Sequence, residues 1–230
     1  MYILLAAATK FEIQPAIDFL DNAPSGAIVH KTRHEIEFLI TGIGSVATAW
    51  SLMRHIGRRR PDIIIQAGIA GCFSGKRPGE VMVIREEILA DLGVWEENRF
   101  KTLFDLNLKD KDEFPFSNGL LINPYEKLLA LPALEQVRSI TVNEITTDKT
   151  RIGWYQQNID PVVESMEGGG LHYIGLQENI AFLQLRSVSN HIGERDKTKW
   201  DIRAAIGRLN DRLIALLQAL DAHDESIIGR

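Results

Sequence analysis

Three polar residues of this sequence stand where α/β proteins do chemistry. Glu12 follows the apolar run YILLAAAT at residues 2–9, Glu167 follows VVESM at 162–166, and Asn190 closes AFLQLRSVSN at 181–190. Each run reads as a β-strand, so each polar side chain falls at a strand's carboxyl end, the edge where open α/β sheets gather ligands. QAGIAG at 66–71 ends a fourth strand there, bringing Ala70 and Gly71 to the same edge. All of these residues together at one edge are harder to put down to coincidence than any one of them. Taken singly, each is equally compatible with a helix cap or a solvated loop.

VVESMEGGG at 162–170 places three glycines directly behind Glu167. At a helix start they cost about 1 kcal/mol each relative to alanine, so something specific must offset them. GIGSVA at 42–47 follows a strand and opens a helix, which matches the first part of a dinucleotide fingerprint. The acidic residue that should end the following strand is missing, since Asp62 begins it; a tight turn with its amides facing a small ligand or water fits as well. No nucleophile elbow, Walker loop or HExxH helix is present. The six histidines form no metal-ligand set, and His30 and His34 fall in an expected hairpin, not on a helix face. The single cysteine, Cys72, has no histidine among its sequence neighbours and reads as a small buried residue in a reducing compartment.

The elements that must position these residues follow from periodicity. Short β-rich runs alternate with helical segments, the pattern of an α/β domain with a largely parallel, doubly covered sheet. After YILLAAAT comes a helix, FEIQPAIDFLDN, with Pro15 in its first turn. AIVHKTR and IEFLITG suggest a hairpin, and Val46, Ala49, Trp50, Met53 and Ile56 recur at helical spacing from Gly44. DIIIQAG, EVMVIREEILA, RSITVNEITT (138–147), VVESM and AFLQLRSVSN are further strands, with a short helix around RIGWYQQN. Residues 91–123 show no period and read as a long excursion. Ile202, Ala205, Ile206, Leu209, Leu213, Leu216 and Leu220 mark a long amphipathic helix.

With 230 residues, 45% of them hydrophobic, the chain suits one globular domain over 1–230. A net charge of −5 argues against nucleic-acid or anionic-membrane partners, which require a basic field. The basic cluster RHIGRRRP at 54–61 suits a helix end, where the dipole favours cations. No apolar run approaches the roughly 20 residues that cross a bilayer, and a cytoplasmic protein is expected.

Taken together and in order, TKFEIQP, TGIGSVATA, QAGIAG, VVESMEGGG and LRSVSN resemble the purine nucleoside phosphorylase and nucleosidase superfamily over almost the whole chain. Within it, SMEG at 165–168, Ser189–Asn190 and GERDKTKW at 193–200 are most similar to the futalosine hydrolase family, with the methylthioadenosine/S-adenosylhomocysteine nucleosidases nearby. The resemblance implies a three-layer αβα sandwich with a distorted mixed central sheet. It implies Glu12 as the residue that activates water, Ala70 and Gly71 lining the ribose and water, and Met166 with Glu167 under the ribose, gripping its hydroxyls. The glycines after Glu167 would then let the helix backbone approach the sugar. No metal or organic cofactor is implied, and a homo-oligomer is, with a neighbouring chain closing the sugar side.

The same resemblance places Asn190 where the adenine-specific relatives have aspartate. A 6-oxopurine offers acceptors at O6 and N7, which an ionised carboxylate repels; an amide can donate to O6 and accept from a protonated N7. Hypoxanthine therefore suits this position better than adenine. Gln66 and Ile69 stand where the phosphorylases clamp phosphate, which favours water as the nucleophile. The expectation is hydrolysis of futalosine to hypoxanthine and dehypoxanthine futalosine, a step of menaquinone synthesis. An adenine-releasing nucleosidase and a noncatalytic nucleoside binder are the alternatives. Glu164 has no role by analogy, and Arg195 and Lys197 are candidates for the benzoate end of futalosine.

Overall fold

The computed structural model of the chain describes residues 1–21, 32–73, 75–97 and 99–229. In chain order the elements are β1 (Tyr2–Ala7), α1 (Lys10–Asp21), β2 (Glu35–Ile40), α2 (Ser45–Ile56), β3 (Ile63–Cys72), β4 (Val81–Leu89), β5 (Gly93–Glu96), β6 (Arg99–Thr102) and β7 (Leu121–Ile122). There follow α3 (Glu126–Ala130), β8 (Gln136–Thr141), α4 (Lys149–Asn158), β9 (Val163–Ser165), α5 (Gly168–Gln177), β10 (Ala181–His191) and α6 (Ile202–Leu220).

The sheet is mixed and curled, and β3 is the reason. β10 pairs in parallel with β3 along its whole length, while the other edge of β3 is shared between two strands. β1 takes Ile63–Gln66 in parallel, and β9 takes Gly71 and Cys72 antiparallel. Because β10 also pairs with β4, β4 with β8 and β8 with β9, these strands close on themselves, and β1 and β2 extend the sheet beyond the ring. Helices α1 and α6 cover one face; α2 and α5 lie together on the other, with α5 against β4, β7, β8 and β10. The expected three-layer sandwich with a distorted mixed sheet is the architecture observed. All six residues of β1 are buried, which is why its sequence is a continuous apolar run with no alternation.

Pro15 lies well inside α1, not in its first turn. Proline cannot donate and crowds the turn before it, a defect of about 3 kcal/mol in a helix interior. Asn210 of α6 braces the turn around it: its amide accepts from Ala16 N at 3.0 Å and donates to the Glu12 carbonyl at 2.8 Å. One side chain thus bonds both the Ala16 amide and the Glu12 carbonyl, and pins the turn that carries Glu12.

Other departures have equally local causes. The first strand of the expected hairpin, 27–33, falls largely outside the described residues, as does His30, and β2 pairs parallel to β1. The strand expected over 138–147 leaves the sheet after Thr141. The 91–123 excursion contains the β5–β6 hairpin, anchored where Trp95 and Phe100 meet Trp154, and the strand β7. Helix α2 forms as its spacing predicts, but it turns Thr48 and Leu52 inward and leaves Val46 81% and Trp50 61% exposed.

Candidate active site

Glu12 is the third residue of α1 and only 6% exposed. Thr9 and Glu12 form the helix-starting pattern in which an acid three residues on reaches back to the cap amide. Oε2 accepts from Thr9 N at 2.9 Å and from Thr9 Oγ1 at 3.0 Å. Oε1 accepts from Ile69 N, at the end of β3, at 3.1 Å. A carboxylate has about four lone-pair sites, so the three donors leave Oε1 able to accept one more hydrogen bond, from a water or hydroxyl.

Glu167 caps α5 and is likewise 6% exposed. Its Oε1 accepts from Gly44 N at 3.1 Å, and its Oε2 accepts from Arg186 Nη1 at 3.2 Å. Ser45 Oγ donates to the Met166 carbonyl at 3.1 Å, so the GIGS loop is docked on the Met166–Glu167 turn. The Gly44 amide that a dinucleotide phosphate would need is committed to Glu167. Gly44 has φ +93°, which only glycine adopts without strain, and this left-handed turn aims the amide.

Arg186 is the residue sequence reasoning missed, although it stands inside LRSVSN. At 1% exposure it is a fully buried cation, and a lone arginine in an apolar strand is the signal that could have exposed it. Besides Glu167 it donates from Nη2 to Gln66 Oε1 at 3.0 Å. It also lies against Gly68: a Cβ there would sit 2.4 Å from Arg186 Nη1 and 3.1 Å from Glu12 Oε1. The bare Gly68 backbone therefore lets the cation approach both carboxylates. Gln66 accepts from Arg186 through Oε1, and Ile69 contributes its amide to Glu12.

The glycines behind Glu167 have a different explanation from closeness to a sugar. All three are buried against the protein itself. A Cβ on Gly168 would lie 2.2 Å from Glu87 Oε2, one on Gly169 2.3 Å from Leu89 Cδ2, and one on Gly170 3.0 Å from the Ser45 carbonyl. Helix α5 packs so closely on β4, β8 and α2 that no side chain fits, and this burial offsets the propensity cost.

Asn190 follows a bulge in β10 and pairs in register with Gly71 of β3. The extra residue re-aims the strand end. Ser189 Oγ lies 3.2 Å from the Ala70 carbonyl and 2.8 Å from Asn190 Oδ1, and Asn190 Nδ2 donates to the His191 carbonyl at 3.0 Å. One amide proton and one carbonyl lone pair of Asn190 remain for a ligand. The fold brings Cys72 a histidine that its sequence neighbours lack, with His191 Nδ1 3.1 Å from Sγ. Burial pushes the thiol up to about 11, so Cys72 stays a neutral, inert thiol. Glu164 turns to Thr146 N at 3.1 Å, and burial raises its carboxyl above the usual range. Arg195 stacks over Trp200 at 5.4 Å, while the side chain of Lys197 lies outside the described residues.

The structure thus sets Glu12, Glu167 and the missed Arg186 around Gly68, with Ala70, Gly71 and Asn190 further along the adjoining strands β3 and β10. The chain belongs to the phosphorylase superfamily, whose family pattern matches residues 2–220. It is 27% identical over 219 residues to a futalosine hydrolase of Acidothermus cellulolyticus, covering 94% of this chain and 89% of that one. It is 26% identical over 235 residues to a futalosine hydrolase of Streptomyces coelicolor, covering 96% and 97%. In fold it is similar to the 5'-methylthioadenosine/S-adenosylhomocysteine nucleosidase of S. pneumoniae, with a TM-score of 0.77 at 19% identity over 96% of this chain and 100% of that one. The expectations of this superfamily, of its fold and of an enzyme that cleaves N-glycosidic bonds agree with these findings. Among the described residues no helix is long and apolar enough to cross a membrane.

Proposed function

We propose that this protein is a futalosine hydrolase, using water to release hypoxanthine from futalosine and leave dehypoxanthine futalosine, in the synthesis of menaquinone in the cytoplasm. The observation that carries the reading is Glu12: a buried carboxylate held by three donors, with one acceptor position open beside the Arg186–Glu167 pair. The futalosine hydrolases among the relatives support the choice of substrate.

Cleavage of the glycosidic bond leaves positive charge on the sugar, and water must arrive at the carbon as the base departs. Glu12 takes the proton of that water, and its negative charge stabilises the cationic sugar. Met166 packs under the ribose, Ala70 and Gly71 line it, and Glu167 accepts from its hydroxyls in charge-assisted contacts. Arg186 lets two buried carboxylates share one small volume by balancing the charge of Glu167. The Asn190 amide donates to O6 of the departing base and accepts from its protonated N7. Arg186 is already occupied by Glu167 and Gln66, which supports water over phosphate as the nucleophile.

We read the chain as one domain, because its largest apolar cluster joins residues from Ile3 to Ile227. We read it also as a homo-oligomer. Ile43, Val46, Trp50 and Met53 are 64%, 81%, 61% and 41% exposed and follow one another at helical spacing beside the Gly44–Glu167 contact. A contiguous apolar stripe of this kind suits a partner surface, and a second copy would close the sugar side. Light scattering on the purified protein and on W50E tests this: a dimer that the substitution dissociates is expected, and a monomeric parent protein refutes it.

The function is tested by following base release from futalosine, inosine, methylthioadenosine and aminodeoxyfutalosine, with and without phosphate. Phosphate-independent hypoxanthine from futalosine is expected, and E12Q should lower the rate by about 10²–10⁴-fold with the fold retained. Adenine release, or a phosphate requirement, would overturn the substrate or the nucleophile. Tight nucleoside binding without turnover would make the protein a binder.

A further inference from the structure

A buried polar chain runs from β4 to the Arg186–Glu167 pair, and the chemistry above leaves it unused. Glu87 is completely buried. Its Oε1 accepts from Thr141 Oγ1 at 2.9 Å, and Thr141 Oγ1 in turn accepts from Gly169 N at 2.7 Å. The Gln184 amide sits among Glu87, His172 and Arg186. The orientation that satisfies all three turns its nitrogen to Glu87 Oε2 at 3.3 Å and His172 Nε2 at 3.0 Å, and its oxygen to Arg186 Nε at 3.1 Å. His172 Nδ1 lies 3.0 Å from the Leu121 carbonyl and must carry the ring proton to bond it. The directions at Gln184 follow: Nε2 of His172 can only accept, so the Gln184 nitrogen donates to it and the Gln184 carbonyl is committed to Arg186.

We propose that Glu87 is a positioning residue for the sugar-gripping carboxylate: through Gln184 it holds the Nε edge of Arg186, and so fixes the Nη1 edge that orients Glu167. The proposal deepens the nucleosidase reading and rests on it. It also accounts for Gly168, whose missing side chain leaves the space that Glu87 and Gln184 occupy.

The relay carries a charge that changes near neutrality. Burial pushes the Glu87 carboxyl up to about 7. The groups that face it are Arg186 on β10, which favours its charged form, His172 on α5, which burial keeps neutral, and the hydroxyls of Ser139 and Thr141 on β8. β7 contributes only the Leu121 carbonyl that His172 meets, α6 buries no charged residue, and Glu86 on the same strand is paired with Arg138. Neutral Glu87 leaves the charge of Arg186 to Glu167. Ionised Glu87 sets a second carboxylate against the same cation and loosens its hold.

The experiment is the pH dependence of base release by the parent protein, E87Q and Q184M, with thermal unfolding of the ligand-free proteins over the same range. The parent kcat/KM should fall about fivefold or more as pH rises through 7, chiefly through KM, the size of coupling seen between linked sites. E87Q, permanently neutral, should keep a flat profile there. Q184M retains Glu87 but cuts the relay, so it should raise KM and lose the inflection, which keeps the proposal testable if E87Q folds poorly. The parent Tm should drop relative to E87Q between the ordinary carboxylate range and pH of about 7, because native Glu87 holds a proton that the unfolded chain has released. Parent-like pH profiles in both folded variants overturn the role of Glu87 while leaving the nucleosidase intact. A parent protein that releases no base from any nucleoside overturns the functional reading itself.

Discussion

Arg186 donates from Nη1 to Glu167 Oε2 at 3.2 Å with both side chains buried, so one cation of β10 is paired with the residue that caps α5. Removing one partner of such a pair strands the other in a low dielectric. R186M should therefore lose about 3–5 kcal/mol of stability, measured by urea unfolding. Adding E167Q to R186M should recover part of the loss, because the uncompensated charge is gone. Equal stability of R186M and the parent would show that the pair is not coupled.

Gly168 and Gly207 are both helical glycines, and the structure separates them. A Cβ at Gly168 meets Glu87 Oε2 at 2.2 Å, whereas one at Gly207 finds nothing within 4 Å. G168A should destabilise the protein by about 1–3 kcal/mol through overpacking. G207A should stabilise it by about 0.5–1 kcal/mol through helix propensity. Chemical unfolding of the two variants side by side decides the matter, and a neutral G168A would mean that the relay beneath α5 yields easily.

Asn190 keeps one amide proton free, which the proposed function assigns to the base. N190D replaces that donor with an acceptor, which repels O6 of a 6-oxopurine and suits the exocyclic amine of a 6-aminopurine. The ratio of hypoxanthine to adenine release, taken as kcat/KM for each, should move toward adenine by about tenfold or more, since a site with an unpaired polar group rejects its ligand strongly. An unchanged ratio would place the reading of the base elsewhere.

His172 is buried, and burial holds its imidazole down to about 4, below the usual 6.5. The unfolded chain binds a proton that the native protein refuses between these values, so this group's contribution to stability is complete above about pH 6.5 and is lost as pH falls toward 4. That contribution amounts to about 3 kcal/mol as an upper figure. H172Q keeps a donor and an acceptor but cannot titrate, and its unfolding midpoint should fall less steeply with acid than the parent's. Parallel curves would mean that the ring charges without cost.

The positions of Glu12, Glu167 and Asn190 were legible because each closes a run whose apolar character reports a strand, and strand ends are where ligands collect. Arg186 was legible only as a cation in an otherwise apolar strand; its partners were not, because nothing in LRSVSN says that the guanidinium turns to Glu167, Gln66 and Gln184. Periodicity found α2 but not its inner face: Thr48 and Leu52 go inward, while Val46 and Trp50 remain at the surface. A hydrophobic stripe at helical spacing reports a face that needs covering and does not say whether the cover is the same chain.

By itself the sequence determined the alternation of strands and helices, the edge of the sheet that carries the polar residues, and the family, because these are properties of short runs and their spacing. Only the tertiary structure decided the partners: Asn210 bonding the turn of α1 beside Pro15, Gly44 donating to Glu167, and Glu87, Gln184 and His172 meeting under Gly168. Each of these contacts joins residues from separate elements. A buried polar group must find its hydrogen bonds wherever the closed sheet places them, and that placement has no local signature in the chain.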